Sequence, residues 1–192
     1  MAMKKTGVDK LGRLAASLAS KLPAEDGGYE RSSAFGPSAA SRFLGDWAVV
    51  EHELDGRPWM DRYPADRLGG AEFLDPDYEA SFSFGDRVCV KRVAVRGALA
   101  LGAGDGLDGE EGGPLTAYEY RMTVALEWSP ASQDRIRAKP VLGYQFTSLD
   151  GAIAAVREFG GGGGSMLIHA RFEGEDLVLE DGGDRKVLRR RA

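Results

Sequence analysis

The chain has 192 residues, of which 43% are hydrophobic and 29% charged, which suffices for one domain with a sizeable core and additional segments. A net charge of −5 argues against a nucleic-acid partner. No run reaches the roughly 18 apolar residues of a transmembrane helix. The single Cys89 excludes an intrachain disulfide. The 27 glycines are about twice the average usage, which indicates many turns, as in an all-β chain.

Residues 1–22 are predicted to form an amphipathic helix. Leu11, Leu14 and Leu18 recur at three- and four-residue spacing before Pro23 ends the pattern. We expect this helix to pack on the following domain or to fray in solution. Because the segment is basic and nearly free of acidic residues, a targeting presequence and a membrane-surface anchor remain as alternatives.

Residues 23–41 are rich in Gly, Ser, Ala and Pro and are predicted to be a flexible linker before a domain at residues 42–192. The use of one cysteine fits a reducing compartment. We therefore expect a cytoplasmic protein, with organelle targeting through residues 1–22 as the alternative.

The domain has the two-residue period of half-buried strands. Its clearest strand covers residues 118–128, where six apolar side chains share one face. These are Tyr118, Tyr120, Met122, Val124, Leu126 and Trp128. Residues 135–147 alternate in the same way, with Leu142, Tyr144 and Phe146 on the apolar face and a bend or edge position at Pro140.

Seven more strands are predicted, and two segments depart from the pattern. The strands cover residues 43–54, 71–75, 79–84, 87–96, 165–173, 176–180 and 185–191. Residues 102–114 are glycine and acid with little to bury, which indicates a surface loop. Residues 150–159 have apolar residues at helical spacing between a capping Asp150 and Gly160, so a short helix is predicted, with a strand as the alternative.

Eight or nine short-linked strands with one apolar face predict an all-β fold, an antiparallel meander β-barrel. An eight-stranded barrel encloses an interior that side chains fill, or one that holds a single small ligand.

Two short motifs resemble the lipocalin-like domains of the calycin superfamily. The first strand opens with Gly45-Asp46-Trp47, and the last one ends with Arg189-Arg190. The resemblance implies that Trp47 closes the base of the barrel and that Arg189 or Arg190 stacks across it. Stacking of a guanidinium group on an indole ring is favourable by roughly 0.5–2 kcal/mol.

The aromatic residues of the apolar strand faces are the candidate ligand-binding residues. They are Phe82, Phe84, Tyr118, Tyr120, Met122, Tyr144 and Phe146. They either line a pocket for a small hydrophobic molecule or fill a solid core. We therefore hypothesise non-enzymatic binding of a small apolar ligand inside the barrel. The alternative is a ligand-free interaction or scaffold module that uses the barrel exterior and the N-terminal helix.

The sequence shows no pair of residues for acid–base catalysis, so a binding protein is favoured over an enzyme. His52 shares its strand face with apolar residues, whereas His169 lies opposite the apolar face, so they are not expected to act together. Cys89 is interpreted as a structural thiol, although Lys91 on the same strand face could favour the thiolate. No catalytic residue, metal site or cofactor is predicted.

Overall fold

The computed structural model describes residues 40–68, 71–100, 115–160 and 163–191. The predicted helix over residues 1–22, most of the linker 23–41 and the loop 102–114 lie outside these ranges. The described strands are β1 Gly45–Leu54, β2 Arg57–Pro58, β3 Glu72–Phe84, β4 Val88–Ala100, β5 Leu115–Ser132, β6 Arg135–Leu149, β7 Ala152–Gly160, β8 Met166–Glu173, β9 Asp176–Asp181 and β10 Asp184–Arg190. A helix, α1, covers Trp59–Arg67.

Eight of these strands form a closed antiparallel barrel, in the order β1-β3-β4-β5-β6-β8-β9-β10. The closing pair is β1 with β10, whose register runs from Trp47 opposite Arg190 to Leu54 opposite Asp184. The short β2 pairs with β1, and β7 pairs with β6 outside the closed ring. The all-β class and the antiparallel barrel predicted from the two-residue period are therefore confirmed.

The helix predicted over residues 150–159 is wrong and its strand alternative is confirmed, because Ala152–Gly160 forms β7 and pairs with β6. The two-residue turn of Asp150 and Gly151, with φ values of 49° and 77°, connects the two strands as a tight hairpin. Two of the apolar residues at helical spacing, Ile153 and Val156, are 69% and 66% exposed, whereas Phe159 packs against the core. The turn chemistry therefore decides the structure of this segment.

Two further differences lie between β1 and β4. The separate strands predicted at 71–75 and 79–84 are one strand, β3, with a bulge between Leu74 and Asp77. Asp75 has a positive φ of 50° and precedes Pro76, which cannot donate to a ladder, so the pairing is interrupted only locally. Helix α1 was not predicted; it follows β2 directly, and its buried face includes Tyr63.

Inward-facing side chains form two apolar clusters. The base cluster is Phe43, Trp47, Phe82, Phe84, Cys89, Val124, Leu126, Trp128, Ile136, Ala170, Leu177, Leu179 and Leu188. The helix-side cluster is Tyr63, Ala80, Val93, Val95, Leu99 and Tyr118. Because Tyr63 belongs to α1, the helix contributes directly to the second cluster. Among the described residues, no helix is long and apolar enough to cross a membrane.

Trp47 lies at the centre of the base cluster and is only 1% exposed. Its indole nitrogen donates to the carbonyl oxygen of Phe43 at 2.8 Å. The Arg190 guanidinium carbon lies 4.6 Å from the Trp47 ring centroid, and the same group donates to the carbonyl oxygens of Leu44 and Arg42, at 2.8 Å each. Stacking and hydrogen bonding thus tie the last strand to the chain entering β1.

We expect Trp47→Ala to lower the free energy of unfolding by about 3–5 kcal/mol, because it removes a buried indole and leaves a cavity in the base cluster. Equilibrium urea denaturation measures this loss. Ile153→Ala, which truncates an exposed side chain, is the control and should change stability by less than about 0.5 kcal/mol. Equal stability of the two variants would contradict the placement of Trp47.

Candidate functional site

Five of the seven predicted ligand-binding residues lie on inward-facing strand positions. Phe82 and Phe84 are buried in the base cluster, and Tyr118 is buried in the helix-side cluster. Tyr120 and Met122 are partly buried between them, and Met122 packs against both clusters. The inward-facing residues of the prediction are thus divided between the two clusters, with Met122 in contact with both.

The structure places the other two, Tyr144 and Phe146, on the outer face of β6. A bulge separates the pairs Leu126–Pro140 and Ala125–Leu142, so the inward and outward positions of β6 exchange after Pro140. The Arg121 guanidinium carbon, on the outer face of β5, lies 5.8 Å from the Phe146 ring centroid. The alternation across Pro140 therefore assigned both residues to the wrong face.

Arg189 also lies outside the barrel. Its guanidinium group donates two hydrogen bonds to the carboxylate of Asp176, at 3.0 and 2.9 Å. Of the two candidate arginines, Arg190 is the one that lies against Trp47.

A set of polar side chains inside the barrel was not predicted from the sequence. We call it the interior polar cluster: His52, Tyr78, Lys91, Asp184 and Lys186. His52 Nδ1 lies 2.7 Å from the Tyr78 hydroxyl, and His52 Nε2 lies 2.9 Å from Asp184 Oδ1. The Lys186 ammonium group donates to the same carboxylate oxygen. Four strands, β1, β3, β4 and β10, contribute one or two of these residues each.

Burial and hydrogen bonds together favour one protonation state of this cluster. Burial alone would raise the pKa of Asp184, but hydrogen bonds from His52 and Lys186 outweigh it and lower this pKa to about 2. Burial lowers the pKa of His52, although Asp184 opposes the shift, and burial raises the pKa of Tyr78. At neutral pH a neutral His52 therefore donates from Nε2 to an ionised Asp184 and accepts at Nδ1 from the Tyr78 hydroxyl.

Helix α1 packs its aromatic side chains on this chain of hydrogen bonds. The Trp59 ring stacks on His52, with 5.0 Å between centroids and 11° between planes, and also contacts Tyr78. One turn later, the Tyr63 hydroxyl lies 2.7 Å from the Tyr118 hydroxyl. The helix thus covers His52 and Tyr78 of the polar cluster with the Trp59 ring.

Lys91 is the member of the cluster that has neither a hydrogen bond nor an ion pair within the described part of the chain. It faces inward between Phe82 and Val124, and its ammonium nitrogen lies 5.7 Å from the Phe82 ring centroid. Burial, with a further contribution from the charge of Lys186, lowers the pKa of Lys91 to about 8. An unpaired ammonium group in an apolar interior is costly, so its presence requires an explanation.

The hydrogen-bond partners of the buried polar atoms indicate that open space lies next to Lys91. Each fully buried side-chain nitrogen or oxygen of the described residues has a hydrogen-bond partner. Lys91 has none within these ranges, and its side chain is partly rather than fully buried. Its ammonium nitrogen must therefore border space that a water molecule can enter. Because Lys91 shares the inward face of its strand with the side chains of Phe82 and Val124 on the two adjacent strands, we expect this space on the inner side of the barrel wall.

The remaining reactive groups contribute little chemistry. Burial raises the pKa of Cys89 to about 12 despite the opposing charge of Lys91, so this thiol stays neutral at physiological pH. The His52 side chain is 8% exposed and that of His169 is 52% exposed, so the two histidines face different environments, as predicted. Within the described ranges, no group of three or more His, Cys, Asp or Glu side chains could hold a metal ion.

Comparison with known proteins identifies no relative of this chain: no protein-family model, curated protein or solved structure matches it. The function of the protein is therefore inferred from the geometry of its interior.

We expect Lys91→Met to stabilise the protein at pH 7 by up to about 3 kcal/mol, because one pKa unit is equivalent to about 1.4 kcal/mol. The folded pKa of about 8 lies below the ordinary 10.5. Over this interval the unfolded chain binds more protons, so Lys91 contributes a rise in stability with pH. The stability difference between variant and wild type should therefore shrink from pH 8 to pH 10.5.

Urea denaturation at a series of pH values measures this difference. Tyrosines and Cys89 titrate in both proteins, so their contribution largely cancels. Lys139→Met, on an exposed position of β6, is the matched control and should show a small difference independent of pH. A constant difference between Lys91→Met and wild type across this range would contradict the buried position of Lys91.

Proposed function

We propose that this protein binds a small, largely apolar molecule inside its barrel without catalysing a reaction. The observation that carries the proposal is the partly accessible set of inward side chains between two buried clusters. This set includes Val49, Tyr120, Met122 and Lys91. A solid core would bury all inward positions of a closed barrel, whereas a ligand space leaves some of them accessible.

The chemistry of these side chains suits a ligand with an apolar body and a polar group. Methyl, thioether and aromatic surfaces surround the space, and burial of apolar ligand surface contributes about 25 cal/mol per Å² before the costs of binding. The interior polar cluster provides a few fixed donors and acceptors, which orient a ligand rather than supply most of its affinity.

We also propose kinship with lipocalin-like domains. The support is the contact of Arg190 with Trp47 at the base, since this pairing is what the resemblance implies for those positions. Such kinship is compatible with a ligand-binding role but is not evidence for it, because a fold alone does not define a function.

A ligand-free scaffold is the second candidate, and the exposed strand β7 favours it. Ile153 and Val156 project apolar side chains to the surface of this strand, which among the described residues pairs only with β6. An exposed strand edge with apolar side chains is a ready surface for pairing with another chain. In this case the barrel interior would have no ligand.

We expect Met122→Trp to weaken the binding of 1-decanol at least tenfold, because the larger side chain occupies the proposed space. Thr123→Trp is the matched control, since the neighbouring residue of β5 faces outward opposite Tyr144. Its affinity should stay within about twofold of wild type. Displacement of a fluorescent apolar dye measures both affinities, and native mass spectrometry of freshly purified protein detects a retained ligand.

Saturable binding that is insensitive to Met122→Trp, or no binding by the wild type, would contradict the proposal. Failure to bind together with concentration-dependent self-association, lost on substitution of Ile153 and Val156 by threonine, would support the scaffold instead.

A further inference from the structure

The interior polar cluster contains two lysines that differ in their surroundings. Lys186 is ion-paired with Asp184, which also accepts from His52. Lys91 has neither a hydrogen bond nor an ion pair within the described ranges, although it lies close enough to Lys186 and Asp184 for their charges to act on it. Of these two amines, Lys91 is therefore the one available to a ligand.

We propose that Lys91 is a reactive amine that captures an apolar aldehyde inside the barrel as an imine. The inference rests on the proposed function, because the aldehyde must first enter the ligand space. The Lys91 Nζ lone pair attacks the carbonyl carbon to form a carbinolamine, which loses one water and leaves a carbon–nitrogen double bond. Aldehyde and neutral amine thus give imine and water, with no oxidant or reductant.

The protonation state supports this chemistry, because only the neutral amine is nucleophilic. With a pKa of about 8, about a quarter of Lys91 is neutral at pH 7.5, whereas a lysine with the ordinary value near 10.4 is neutral to only about 0.1%. Desolvation and a neighbouring cationic group both activate lysines in proteins. Lys91 has both, since it is partly buried on the inward face of β4 and the charge of Lys186 acts on it.

The surroundings also favour retention of the product. Phe82 and Val124, opposite Lys91 on the two adjacent strands, are buried members of the base cluster. Apolar walls restrict bulk water and so slow the hydrolysis that returns an imine to aldehyde and amine. The neutral imine also relieves the cost of an unpaired ammonium group at this position.

Reductive trapping tests the inference directly. The full chain is incubated at pH 7.5 with decanal and sodium cyanoborohydride, and peptide mapping by mass spectrometry gives the labelling rate of each lysine. Propanal, which is small and soluble, is used in parallel. Lys91→Met and Lys139→Met are the matched variants, and saturating 1-decanol serves as a non-reactive competitor.

We expect both aldehydes to label Lys91 at least about tenfold faster than the exposed Lys139. Lys91→Met should abolish the fast phase, Lys139→Met should leave it intact, and 1-decanol should slow labelling of Lys91 by decanal. Labelling of Lys91 by both aldehydes no faster than Lys139 would overturn the inference.

The two proposals fail in different ways. If wild-type protein binds 1-decanol but Lys91 is not labelled preferentially, the reactive amine is wrong and the binding function stands. If propanal labels Lys91 rapidly but neither 1-decanol nor decanal binds, the amine is reactive and the apolar ligand is wrong, which also overturns the capture of an apolar aldehyde.

Discussion

Antiparallel pairing of β1 with β10 is the constraint on which the rest of the structure depends. It joins the first and last strands of the barrel and brings His52 within 2.9 Å of Asp184, which lies 132 positions later. The same pairing places Arg190 against Trp47. Without this pairing, the base of the barrel would be open and His52 would have no carboxylate partner. The hydrogen bonds between β1 and β10 therefore create both the closed end and the polar interior.

The interior combines features that favour stability with one that opposes it. The base and helix-side clusters bury large apolar side chains, and Asp184 compensates the charge of Lys186. Lys91 has no such compensation in the described residues, and methionine of similar length would suit its surroundings better. Local departures of this kind concentrate at functional sites, which is why Lys91 carries the inference about ligand chemistry.

The barrel could be predicted because alternation along single strands is a local signal. The strand face on which Tyr144 and Phe146 lie could not be predicted. The bulge after Pro140 shifts the β5–β6 register, and this shift is visible only in the pairing with β5. The Asp150–Gly151 turn was a usable hairpin signal that helical spacing concealed. The charge of Lys91 on the inward face of β4 could also be recognised from the sequence. Its lack of a hydrogen bond or ion pair within the described residues could not, because that depends on strands distant in sequence.

Nuclear magnetic resonance of the two histidine side chains tests the account most directly, because His52 can contact Asp184 only if β1 and β10 close the barrel. Long-range ¹H–¹⁵N spectra recorded from pH 8 to pH 5 report the tautomer and charge of each imidazole, with the exposed His169 as internal reference. We predict that His52 keeps the neutral Nε2–H form as the pH falls through 6.5, the ordinary pKa of histidine. Interchange of both tautomers, or protonation of His52 near pH 6.5, would contradict the closed barrel and its interior polar cluster.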